Sequence, residues 1–155
     1  HGVIYAPRRQ APLTASRGTG AQLDGRRIRV SARRDLTGAL IGTGFPYRAN
    51  AVWMDEYLQM MKAVTESVAG IRRPGAAALD LAYVAAGRFD GFWELGLAEW
   101  DLAAGVLLVR EAGGLVSDLR GGEDYLKTGN IVAGSPKVFA ALVRTLAPHV
   151  PAELR

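Results

Sequence analysis

Apolar and polar positions alternate along the first part of the chain; beyond about residue 50 the apolar ones recur at helical spacing. Residues 3–6 and 13–16 read as strands, with Pro7 and Pro12 bracketing the turn between them. Residues 21–23 and 26–30 flank Asp24-Gly25, a pair suited to the positive φ angles of a type I′ turn, and so predict a hairpin. Within its second arm Ile28 and Val30 alternate with Arg27, Arg29 and Ser31, the pattern of a half-buried strand with arginines on the wet face. Residues 39–42 predict a short apolar strand ending in Gly44-Phe45-Pro46.

The period then changes. Trp53, Tyr57, Met60, Val64 and Val68 mark an amphipathic helix over about 51–69, stopped by Gly70. Further helices are predicted over 77–86, stopped by Gly87, and over 102–112, stopped by Gly113-Gly114. Residues 89–95, 115–119 and 130–133 read as strands. Ser135-Pro136 opens a last helix whose core stripe is Phe139, Leu142, Val143 and Leu146. Hairpins followed by alternating strands and helices define an α/β chain. Its predicted parts are 1–38, the end of an antiparallel sheet, and 39–155, an α/β domain. The chain opens mid-strand at His1-Gly2-Val3 without an initiator Met, so it is expected to be the later portion of a longer protein.

Composition narrows the chemistry. Cysteine is absent and the only histidines are His1 and His149, which argues against thiolate chemistry, a His-based triad and a multi-His zinc site. Polar chemistry falls to carboxylates. The net charge of +4 rests on arginine, since only Lys62, Lys127 and Lys137 are lysine. The run Arg26, Arg27, Arg29, Arg33 and Arg34 reads as a solvated face, with nucleic-acid contact as its alternative. No apolar stretch is long enough to span a bilayer, and a cytoplasmic protein without membrane partners is expected.

Two stretches carry candidate chemistry. Asp101 sits at an expected helix start within Glu94-Leu95-Gly96-Leu97-Ala98-Glu99-Trp100-Asp101. Alone, it fits either an N-cap carboxylate or a Mg²⁺ ligand, since Mg²⁺ prefers carboxylate and phosphate oxygens. In Arg72-Arg73-Pro74-Gly75-Ala76-Ala77 a strand leads through Gly75 into a helix start. Its free N–H groups suit a phosphate or polyol hydroxyl, although small residues there also serve tight packing.

Together these stretches closely resemble the C-terminal half of the inositol monophosphatase family, in its bacterial SuhB-like branch. The matching residues are Trp100-Asp101-x-Ala103-Ala104-Gly105 with Glu111-Ala112-Gly113-Gly114, Thr14-Ala15-x-Arg17-Gly18-x-Gly20-Ala21, and the run from Ala77 to Gly87. The resemblance implies a layered αβαβα sandwich and Mg²⁺-dependent hydrolysis of inositol monophosphates by metal-activated water. It implies that Asp101 binds metal, that Glu94 hydrogen-bonds a ring hydroxyl, and that Gly75, Ala76 and Ala77 contact substrate. Ala76 stands where the family has Ser or Thr, so a side-chain hydroxyl contact is lost. The family's upstream Glu and its Asp-Pro-x-Asp-Gly-Thr/Ser motif have no counterpart here, so the isolated chain is expected to be inactive. A homodimer is also implied. The alternative from another class is a non-catalytic regulator that binds RNA or the RNA polymerase antitermination machinery.

Overall fold

The computed structural model describes residues 1–7 and 11–154. Four strands, β1 (Gly2–Ala6), β2 (Ala11–Ser16), β3 (Gly20–Leu23) and β4 (Arg26–Arg27), form an antiparallel sheet in chain order. Asp24 and Gly25 both have positive φ, 50° and 72°, as the expected turn requires. Pro12 lies inside β2 opposite Tyr5 and does not bracket the turn; residues 8–10 of that predicted turn fall outside the described ones. The strand predicted over 26–30 pairs only at its first two residues. Ile28 N still donates to Ala21 O, but Val30 N turns to Ala112 O at the end of a helix. Ile28 and Val30 remain half-buried against the core, so the alternation marked their inward side correctly.

The second sheet has the order β6-β5-β7-β9-β8. Its strands are β5 (Leu40–Thr43), β6 (Gly70–Arg72), β7 (Gly91–Glu94), β8 (Leu115–Ser117) and β9 (Ile131–Gly134). β5 runs parallel to both β6 and β7; β9 is antiparallel to β7 and β8. The helix predicted over 51–69 is shorter: a 3-10 turn (Arg48–Trp53) leads into α1 (Met54–Thr65). It ends early because Ala69 N already donates to Ala39 O at the start of β6. α2 (Ala77–Ala85), α3 (Glu99–Glu111), the single turn α4 (Tyr125–Thr128) and α5 (Pro136–Leu146) complete the helices. Periodicity had not indicated α4, which is too short to show one.

Side-chain alternation assigns the layers. Phe92, Ile131 and Ala133 face α2 and α3, while Trp93 and Val132 face α1 and α5. Ile4, Leu13 and Ala15 of the first sheet press on the far side of α2 and α3. The order is sheet, helices, sheet, helices, four layers of the sandwich that the sequence implied. One core therefore draws on both sides of residue 38. The central helices touch closely: a Cβ on Gly105 of α3 would lie 2.6 Å from Leu81 Cβ of α2. Among the described residues, no helix is long and apolar enough to cross a membrane.

Candidate active site

The parallel strands β5, β6 and β7 end side by side, and their following loops rim one cavity of about 240 Å³. Clefts at the carboxyl ends of such strands are common ligand sites in α/β folds. All five residues singled out from sequence line it: Gly75, Ala76 and Ala77 at the entry to α2, Glu94 at the end of β7, and Asp101 in α3. Phe45, Tyr47, Arg73 and Leu97 complete the wall.

Gly75 adopts φ +86°, which lets the chain turn from β6 into α2. Ala76 is the N-cap and offers no side-chain acceptor, so the start of α2, where Ala76 and Ala77 line the cavity, carries no side-chain cap over its N–H groups. Glu94 is buried; its carboxylate fills the space in front of Gly44, which has no side chain to obstruct it. Its pKa is pushed up to about 7, first by burial and then by the Asp80 charge, with Arg73 opposing and Asp101 adding a smaller push.

Asp101 is not the N-cap. It is the third residue of α3, and its Oδ2 accepts a hydrogen bond from Ala98 N at 3.1 Å. That is one half of a capping box; alanine at the cap cannot supply the other half. The second carboxylate oxygen of Asp101 is uncommitted to that bond. Among the described residues, no group of three or more acidic or histidine side chains is placed to hold a metal ion. Asp101 offers a carboxylate of the kind Mg²⁺ prefers, and the described residues gather no further ligands around it.

Four neighbours went unrecognised as site residues in the sequence. Arg73, read from sequence only as part of the segment leading to Gly75, lines the cavity, with its guanidinium 5.6 Å from the Phe45 ring centroid. Asp80, buried in α2, has a pKa pushed up to about 7 by burial, against the pull of Arg73. It is the only charged residue of α2, and that isolation was the available signal. Tyr57 and Thr43 hydrogen-bond through their hydroxyls at 3.0 Å behind Phe45; burial raises the Tyr57 pKa. In the basic run, Arg33 pairs with Asp90 at 3.2 Å and is therefore not simply part of a solvated face.

Solved structures share this fold. The chain matches the suhB protein of Bartonella henselae with TM-score 0.91 and 50% identity, over 96% of this chain and 56% of that one. It matches the inositol monophosphatase of Anabaena with TM-score 0.84 and 36% identity, over 97% and 62%. The inositol monophosphatase family model covers residues 1–151, and the chain belongs to that family. Within it, the chain is similar to the Nus factor SuhB of Pseudomonas aeruginosa, 59% identical over 156 residues, which are 100% of this chain and 58% of that protein. The Escherichia coli Nus factor SuhB is 51% identical over 153 residues, 99% and 57% respectively. The chain thus spans little more than half the length of the curated relatives it matches.

Proposed function

We propose that this chain is the C-terminal portion of a cytoplasmic, homodimeric, Mg²⁺-dependent phosphomonoesterase that converts inositol monophosphates to inositol and phosphate. The observation that carries this reading is the convergence of Gly75, Ala76, Ala77, Glu94 and Asp101 on one cavity, from three separate elements of a family member. Asp101 would hold the metal, since the single bond from Ala98 N leaves its carboxylate able to donate to a cation. Bound Mg²⁺ supplies Lewis-acid polarisation of the phosphoryl group and a more acidic water. Glu94 accepts a hydrogen bond from a ring hydroxyl, and the N–H groups at the start of α2 orient the substrate. The remaining ligands would be supplied by parts of the complete protein that the resemblance implies.

The test is Glu94→Gln in the complete protein. An amide presents one acceptor and two donors in place of a carboxylate, so turnover of inositol 1-phosphate should fall more than that of a small phosphomonoester lacking ring hydroxyls. Equal losses on both esters contradict the role. A second reading, a regulator of transcription antitermination, is favoured by one observation: relatives at 51–59% identity bear the name Nus factor SuhB. As a non-catalytic role it predicts that the complete protein binds RNA or the antitermination machinery without Mg²⁺-dependent turnover, and that Asp101→Asn leaves that binding intact.

A further inference from the structure

Charge is divided unevenly along the chain. Residues 1–38 hold eight arginines and two aspartates, whereas residues 39–155 hold 11 Lys and Arg against 13 Asp and Glu. Such asymmetry points to an anionic partner when the cations share one surface. The fold gathers five of them around the C-terminal end of α3. Arg17 sits in the β2–β3 turn, Arg26 and Arg27 form β4, Arg29 follows it, and Arg88 lies between α2 and β7; all five are exposed.

Glu111, the last residue of α3, ties the group together. Its carboxylate accepts from Gly18 N and Gly20 N, and Arg17 and Arg27 are the cations that act on it. The Arg27 guanidinium lies over Gly20, where a Cβ would be 3.3 Å from its Nε. Arg29 Nη1 donates to Ile28 O at 3.3 Å and to Glu111 O at 3.5 Å. A Cβ on Gly87 would be 3.1 Å from Arg29 O, which sets Arg88 beside that strand end, its guanidinium 5.2 Å from the Tyr83 ring centroid. Among the described residues the ion pairs are Arg33–Asp90, Arg110–Glu123 and Lys127–Asp124, so none of the five is consumed, while Arg33 of the same run is. Against them stand Asp24 at the hairpin tip and Glu111, whose two oxygens are already committed to backbone N–H groups.

We propose that this end of the molecule binds a nucleic-acid strand through its phosphates. Guanidinium forks match phosphate oxygens in pairs, and phosphate contacts require only donors. No large apolar side chain is exposed between residues 17 and 34; the exposed residues among the arginines include Gly18, Thr19, Gln22 and Gly25. A protein partner would need an apolar centre that the patch lacks. Glu111 lies ten residues beyond Asp101 on α3, about 15 Å along the helix, so a strand held here leaves the cavity open. The proposal deepens the regulatory reading by giving it a surface, and it does not depend on the phosphatase reading.

Fluorescence anisotropy with the complete protein tests it, with short single strands of RNA and DNA and a glutamate-rich peptide as separate arms. At least one strand should bind, the RNA and DNA arms naming the source of the phosphates, and the peptide should not. The logarithm of the association constant should fall with the logarithm of salt at a slope of about −3, as expected when roughly four phosphates of a single strand are neutralised. Arg27→Gln and Arg29→Gln should each flatten that slope by about 0.7 and weaken binding several-fold, with Mg²⁺-dependent turnover unchanged. Arg26 enters no hydrogen bond or ion pair among the described residues, so Arg26→Gln carries the same expectation should either of the others fail to fold. No binding of either strand at low salt, a slope unchanged in all three variants, or tighter binding of the peptide than of both strands overturns the proposal. Failure of the regulatory reading shows elsewhere, as no binding of the antitermination machinery, and leaves these strand titrations unchanged.

Discussion

The Glu94 carboxylate occupies the space that any side chain at residue 44 would need. Gly44 follows β5 and Glu94 ends β7, so the parallel pairing of these strands sets the acid against a bare backbone. Gly44→Ala should displace the carboxylate. The expected result is a loss of about 1–3 kcal/mol in urea denaturation, typical of overpacking, and weaker discrimination for ring hydroxyls in the complete protein. Unchanged stability together with unchanged discrimination rules this out.

Asp101 has a structural and a chemical task, and two substitutions separate them. Asn can still accept from Ala98 N, so Asp101→Asn should leave stability within about 0.5 kcal/mol of wild type, whereas Asp101→Ala should cost about 1 kcal/mol. Both should lower Mg²⁺-dependent turnover of the complete protein, by on the order of a hundredfold or more. Near-normal turnover of Asp101→Asn at limiting Mg²⁺ removes Asp101 from the metal site.

Glu111, at the end of α3, clamps the turn between β2 and β3: its two carboxylate oxygens accept from Gly18 N and Gly20 N, each at 2.8 Å. Those backbone bonds lower its pKa. A lowered folded pKa stabilises above the ordinary glutamate value and loses that contribution as pH falls through the folded value. Glu111→Gln should therefore be less stable than wild type at pH 7, and the difference should shrink at pH 3. Chemical denaturation at the two pH values measures it.

Val3 and Tyr5 of β1 are exposed on an edge strand, at 62% and 58%. An apolar edge invites pairing with another chain. The isolated chain should self-associate, and Tyr5→Lys should reduce this, as read by analytical ultracentrifugation. Assayed alone with Mg²⁺ and inositol 1-phosphate it should release no phosphate, because it gathers no metal-binding cluster among the described residues. Robust Mg²⁺-dependent release contradicts this.

Element types were legible wherever the apolar period ran long, as in α1, α2, α3 and α5. Ends were not. Where α1 stops is decided by the pairing of Ala69 with Ala39, thirty residues earlier in the chain, and no local signal carries that. Family motifs located Glu94, Asp101 and the start of α2. They did not distinguish an N-cap from the third helical position at Asp101, because the cap residue, Ala98, is itself a poor capping type. Arg73 and Asp80 escaped notice for opposite reasons. One lay in an arginine pair that resembles surface, the other in a helix that resembles core; the fold sets Arg73 in the cavity wall and Asp80 one helical turn behind Ala76 of that wall.

α3 covers the inner face of the first sheet, yet it is made roughly ninety residues after β3. At about 5–20 residues per second, synthesis leaves Ile4, Leu13, Ala15 and Ala21 uncovered for on the order of ten seconds. In that interval the hairpin lacks the packing that α3 will give it. The Glu111 clamp closes only when the last turn of α3 has left the ribosome, so the β2–β3 turn is held open to exchange until a segment about ninety residues later arrives to lock it.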